Sequence, residues 1–128
     1  MLGSRIPAHC SAVGKVLLAA LPEKQLNRLV SSKGLPRRTE NTITDLGKLK
    51  EHLELVRKNG YALDTEENEI GIRCVSAPIR DQRSEVIAAI SISVPASRMK
   101  AHVLKKRLKD QVIGTALNIS RKIGYQGV

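Results

Sequence analysis

Tryptophan and phenylalanine are absent from this 128-residue chain, and Tyr61 and Tyr125 are its only aromatic residues. Single-stranded nucleic acid and RNA loops are held largely by stacking bases on rings, so that class of surface is excluded. Cysteine is nearly as scarce, with Cys10 and Cys74 alone. Two cysteines do not make a disulfide framework, and a chain of this length buries roughly two-thirds of its unfolded surface without staples. With no basic-then-apolar signal pattern at Met1–Arg5, the expected setting is a reducing cytoplasm. No apolar run approaches the ~18 residues of a membrane span. Internal repeats, linkers and low-complexity segments are also missing, so one domain over residues 1–128 is expected.

What the chain has in excess is positive charge, 22 Lys and Arg against 12 Asp and Glu. Much of it is local. Arg98, Lys100, Lys105, Lys106, Arg107, Lys109, Arg121 and Lys122 lie beyond residue 97, with Asp110 the only acid among them. One reading is a nucleic-acid-binding helix over residues 98–122 that contacts phosphates. The competing reading is a solvated helix face, and it is favoured because the charges flank a well-formed apolar stripe.

The periodicity predicts helices first. Residues 10–21 carry Val13, Val16, Leu17, Ala20 and Leu21 at helical spacing, with Ser11 as cap. Pro22 opens a second helix that Gly34 closes. Residues 35–43 read as a loop. Thr44 is the expected N-cap of a third helix, striped by Leu46, Leu49, Leu53 and Val56 and ended by Asn59-Gly60. The period then changes to two. A short strand at 61–65 is followed by an acidic connection, Glu66 to Glu69. Strands are expected at 70–79 and 86–93, with Pro95 as the stop. A last long helix carries Leu104, Leu108, Val112, Thr115, Ile119 and Ile123. Helices, a hairpin and a helix indicate an α+β class with an antiparallel sheet flanked by helices.

Chemistry is sparse. A cysteine nucleophile would need a base, and His9, His52 and His102 have no recognisable spacing to either cysteine. Gly14-Lys15 would end a phosphate-binding loop only if residue 9 were glycine, and it is His9. His9-Cys10 with Cys74 lacks the paired spacing of a zinc site, so His9 is read as a surface residue beside a small buried thiol. No enzyme, metal or cofactor is expected. Alternation gives a better lead. Ile72 and Cys74 share one face of the first hairpin strand, and Ser91 and Ser93 share one face of the second. Two hydroxyls near a thiol and Asp64 would line a cavity for a small anionic or carbonyl ligand, or else simply face solvent.

Longer motifs add to this reading. Arg5-Ile-Pro-Ala-His-Cys-Ser-Ala-Val-Gly-Lys-Val-Leu-Leu-Ala, Gly34-Leu-Pro-Arg-Arg-Thr and Asn41-Thr-Ile-Thr occur in order. Gly60-Tyr-Ala-Leu-Asp-Thr-Glu-Glu-Asn-Glu-Ile-Gly-Ile-Arg-Cys, Ala77-Pro-Ile-Arg-Asp and Ala88-Ala-Ile-Ser-Ile-Ser-Val-Pro follow. Together they resemble the C-terminal effector-binding domain of IclR-type bacterial transcriptional regulators. The resemblance implies a GAF-like (profilin-like) fold that lacks its first strands, with the winged helix-turn-helix DNA-binding domain outside this chain. It implies a small organic acid as effector, a homo-oligomer (dimer or tetramer), and DNA contact only through the N-terminal domain. It places effector-binding positions at Ile6, Ala12, Val13, Asp64, Ile72, Cys74, Ser91 and Ser93. Ala12 stands where many relatives have Gly, Val94 replaces a common Gly, and Ser84 replaces a turn Gly.

Overall fold

The computed structural model describes residues 7–127. Its order is α1 (Ala12–Ala19), α2 (Glu23–Lys33), α3 (Leu46–Asn59), β1 (Ala62–Thr65), β2 (Ile72–Arg80) and β3 (Val86–Pro95). A C-terminal helical stretch follows: a turn α4 (Ala101–Val103), a π-helical segment Leu104–Leu108, then α5 (Lys109–Lys122). The strands form one antiparallel sheet in the order β1-β2-β3. This is the expected α+β arrangement. Among the described residues no helix is long and apolar enough to cross a membrane.

Caps set the helix boundaries. Ser11 Oγ accepts from Gly14 N at 3.0 Å and starts α1. Gly34 at φ 71° and Gly60 at φ 80° terminate α2 and α3 in the left-handed region that favours glycine. The cap of α3 is Asp45, not Thr44: its carboxylate accepts from Lys48 N at 2.9 Å. A carboxylate at that position also meets the positive end of the helix. β3 stops at Pro95, as expected, with that residue paired to Ile72. Proline is tolerated there because β3 is an edge strand, where a missing N–H interrupts no ladder.

The two faces of the sheet bury different layers. Val75, Ala77 and Ile79 of β2 pack with Val112 and Ala116 of α5, helped by Tyr61 and the half-buried Ile90 and Ile92. Val16, Leu18 and Ala19 of α1 join Leu26, Leu49, Leu53, Val56 and Ala62 on the other side. There α1 lies on the sheet and α3 packs on α1.

Two apolar stripes are rotated from expectation. In α1 the buried residues are Ala12, Gly14, Lys15, Val16, Leu18 and Ala19, whereas Leu17 is 40% exposed. In α5 they are Val112, Ala116 and Ser120, whereas Ile119 and Ile123 face solvent. A hydroxyl displaces an isoleucine at the α5 contact because the strand end needs it. Ser120 Oγ accepts from Arg80 N at 2.9 Å and donates to the Ala116 carbonyl at 2.8 Å, satisfying an N–H at the end of β2.

Candidate functional site

Helix geometry leaves room for a site. The eight residues of α1 span about 12 Å, while the nine of β2 span about 30 Å. The helix therefore covers only the middle of its sheet face. The antiparallel register aligns Asp64, Cys74 and Ser93 across the three strands, and Ala62, Ser76 and Ser91 in the next inward-facing row. Where the N-terminal end of α1 stops short of these rows, a cavity of about 520 Å³ opens. Its walls include Ala12, Val13, Asp64, Ile72, Cys74, Ser91 and Ser93. All seven of the expected site residues within the described part are thus brought together. The eighth, Ile6, lies outside the described residues.

Donors and an acceptor line this cavity together. Ser91 and Ser93 present exposed hydroxyls from β3, and Cys74 Sγ shares a hydrogen bond with Ser93 Oγ at 3.1 Å. Ser11 caps Gly14 N and its carbonyl accepts from Lys15 N, so the first-turn amides of Ala12 and Val13 have no helix partner. Such amides favour an anion. Asp64, on the same wall row as Cys74 and Ser93, is 3% exposed and its Oδ1 accepts from Glu67 N at 2.8 Å. Burial pushes the Asp64 carboxyl above its ordinary range, the hydrogen bond from Glu67 N–H opposing it. A carboxylic acid held this way is protonated more readily than a surface aspartate.

Several lining residues were missed by alternation alone. Leu17, Asn68 and Glu69 also border the cavity. Behind it lies a larger omission. Lys15 is fully buried, and its Nζ lies 2.9 Å from both carboxylate oxygens of Glu67, itself 5% exposed. Lys15 also donates to the Leu63 carbonyl, and Glu67 Oε2 accepts from Thr65 N at 3.2 Å. Thr42 Oγ1 donates to the Glu67 carbonyl at 2.6 Å and Thr39 Oγ1 to the Glu66 carbonyl at 2.6 Å. The 64–69 connection, which carries Asp64 and Asn68 into the cavity, is therefore tied to α1 and to the loop before α3. No local pattern marked this pair, because the expected stripe of α1 leaves Lys15 off the buried face.

His9 corrects another expectation. It is buried, 4% exposed, and its Nε2 lies 2.8 Å from the Pro36 carbonyl. Among the described residues no group of three or more His, Cys, Asp or Glu side chains is placed to hold a metal.

The profile of the bacterial transcriptional regulator IclR C-terminal domain matches residues 1–121. This chain belongs to the IclR family. It is 42% identical over 125 residues to the HTH-type transcriptional repressor AllR of Salmonella typhimurium, covering 92% of this chain and 45% of that protein. IclR of Thermotoga maritima superposes with a TM-score of 0.88 at 42% identity, over 98% of this chain and 50% of that one. The inducer-binding domain of PobR from Acinetobacter, a double mutant solved with 3-hydroxybenzoic acid, gives a TM-score of 0.89 at 32% identity. That match covers 94% of this chain and 69% of the PobR chain. The IclR-family chain in hand spans about half the length of the curated relatives it matches. Those relatives are transcriptional regulators rather than enzymes.

The two thiols of this IclR-family domain differ in access. Cys10 is fully buried, and burial first, then the nearby Asp64, pushes its pKa up to about 11. Cys74 is half-buried on the cavity wall, and burial raises it too. Iodoacetamide should therefore modify the native chain at Cys74 alone, and a bound ligand should slow the reaction. Peptide mass mapping checks the site. Equal labelling of Cys10 would contradict the burial described.

Proposed function

We propose that this domain is the effector-sensing part of a cytoplasmic DNA-binding repressor, and that its effector is a small organic acid seated against β3 and the start of α1. The observation that carries this reading is the convergence of Ser91, Ser93 and two free helix-start amides on one cavity. Those four donors suit a carboxylate. Asp64 in the same lining suits a hydroxyl or carbonyl carried by the same molecule, accepting from the one or, when protonated, donating to the other. Hydroxy and oxo acids combine both features. The 3-hydroxybenzoic acid bound to PobR has that pairing of groups. In the whole regulator, DNA contact falls to a separate N-terminal domain and the protein works as a homo-oligomer. A thermal-shift panel of small hydroxy and oxo acids against their amides tests the reading. Acids should raise Tm and matched amides should not. No response to any acid would reject it.

A second reading attaches to the C-terminal basic segment. Lys105, Lys106 and Arg107 are exposed in the π-helical turn, and among the described residues none lies within 4 Å of a carboxylate. Such a face suits non-specific contact with duplex phosphates. Replacing all three by Gln should flatten the slope of log K against log salt for random duplex DNA by about 2 to 3. A wild-type chain that does not bind duplex at low salt would dispose of this reading.

A further inference from the structure

A second cavity lies between the start of the described chain and the end of α2. It has about 380 Å³ and is formed by the segment Pro7–His9, Leu18 of α1, the end of α2 and the turn that follows. Its floor and sides are aliphatic: Leu18, Leu29, Val30 and Leu35. The charged or titratable side chains that line it are all bases, His9, Lys33 and Arg38, with no acid among them. His9 is engaged with the Pro36 carbonyl. Lys33 and Arg38 are exposed and have no carboxylate within 4 Å among the described residues. The neighbouring Arg37 differs, being folded back on the Thr39 and Glu40 carbonyls. Adjacent arginines thus divide, one closing the loop and one standing at the cleft.

We infer that this cleft is a second ligand site, which takes a monocarboxylate with an aliphatic body and is distinct from the sensing cavity. The charge pattern fixes the polarity of the ligand. An apolar body removes the half-buried Leu29, Val30 and Leu35 from water, over the buried Leu18, and a carboxylate at the rim neutralises two cations that have no carboxylate partner among the described residues. A neutral or cationic amphiphile would gain the first term without the second. The volume falls within the range of small-molecule sites. Access does not involve Ser91 or Ser93, because the cleft and the sensing cavity share only Ala8 in their walls.

Octanoate is a suitable probe, with octylamine as its charge-reversed control, followed by amide NMR on the complete 128-residue chain. Octanoate should bind saturably and shift the amides of Leu29, Val30, Lys33 and Leu35, leaving Ser91 and Ser93 in place. Lys33→Gln with Arg38→Gln should weaken it at least tenfold, while Ser91→Ala with Ser93→Ala should not affect it. Both replaced cations are exposed, so folding is not at stake, and circular dichroism confirms that. Shifts confined to the Ser91 and Ser93 wall would overturn the inference, as would equal binding of octylamine or undiminished binding to the Gln pair. Binding that appears only after residues 1–6 are deleted would identify the chain's own N-terminus as the occupant, and would also overturn it.

Discussion

Replacing Lys15 by methionine should lower the stability of this domain by about 3–5 kcal/mol, a loss of about 10 °C or more in Tm. The size follows from burial. Lys15 is 0% exposed and Glu67 is 5% exposed, so removing the ammonium leaves a carboxylate without its counter-charge and out of reach of water. The Leu63 carbonyl loses a donor as well. Pairs like this often contribute little net stability against an apolar pair of the same shape, because desolvating both charges offsets their attraction. The asymmetry gives a sharp test. Lys15→Met combined with Glu67→Gln should be more stable than Lys15→Met alone, since Gln carries no charge and still accepts from Thr65 N. A second readout is independent of stability. Burial first and Lys15 second hold the His52 imidazole below its ordinary range, so NMR titration of Lys15→Met should find His52 titrating higher. If the single variant unfolds no earlier than wild type, the ion pair is not holding the cavity wall in place. Destabilisation should also loosen Asp64 and Asn68, because the 64–69 connection that bears them is anchored through Glu67.

The strands and the face shared by the polar hairpin residues were legible in the sequence for one reason. Strand alternation has a period of two, and a register of a few residues fixes which side chains share a face. Ser91 and Ser93 interrupt a Val/Ile strand at alternate positions, which is enough to place both on one wall. Helical stripes were less well determined. Residues at i+3 and i+4 straddle the true contact, so a stripe can be assigned a residue off without violating the pattern. In α1 that error left Lys15 off the buried face and credited Leu17 to the core instead of the cavity. In α5 the sequence favoured Ile119 over Ser120, because a hydroxyl at a buried position is useful only once the Arg80 N–H is known to meet it. Long-range partners of buried polar groups have no local signature.

The same limit applies to His9. Its ring was read as exposed because imidazole is polar and its neighbours are small. Burial became possible through one acceptor, the carbonyl of Pro36, which lies in the turn after α2. Two sets of buried polar groups hold irregular segments: the Lys15–Glu67 pair with the Thr39 and Thr42 bonds beside it, and the His9–Pro36 contact. The first supports the sensing cavity and the second flanks the aliphatic cleft. Polar burial thus fixes irregular segments, which have no ladder of their own to do so.

Replacing Ser91 and Ser93 together by alanine should remove the thermal response to any acid that stabilises the wild-type domain. A ligand present at about 100 times its Kd adds about 2.7 kcal/mol to folding. Each hydroxyl donated to a carboxylate contributes about 1.5–3 kcal/mol. Losing both should therefore weaken binding at least about 100-fold, and the shift at that concentration should nearly vanish. Both serines are exposed on an edge strand, so the unliganded Tm should change little. The pH dependence separates the carboxylate side from the Asp64 side. Asp64 has a folded-state pKa above its ordinary value, because burial penalises the charged form. Its contribution to stability is therefore complete at acid pH, below the unfolded value, and is lost as pH rises through the raised one. A negatively charged ligand adds to the same penalty, so it binds better when Asp64 is protonated. The acid-induced shift should grow as pH falls from neutrality toward the aspartate range, for ligands that remain ionised there. Asp64→Asn mimics the protonated form and should flatten that growth while leaving the serine requirement intact. A response that survives in the double serine variant would mean that the acid sits elsewhere. A pH profile unchanged by Asp64→Asn would mean that Asp64 does not face the bound acid.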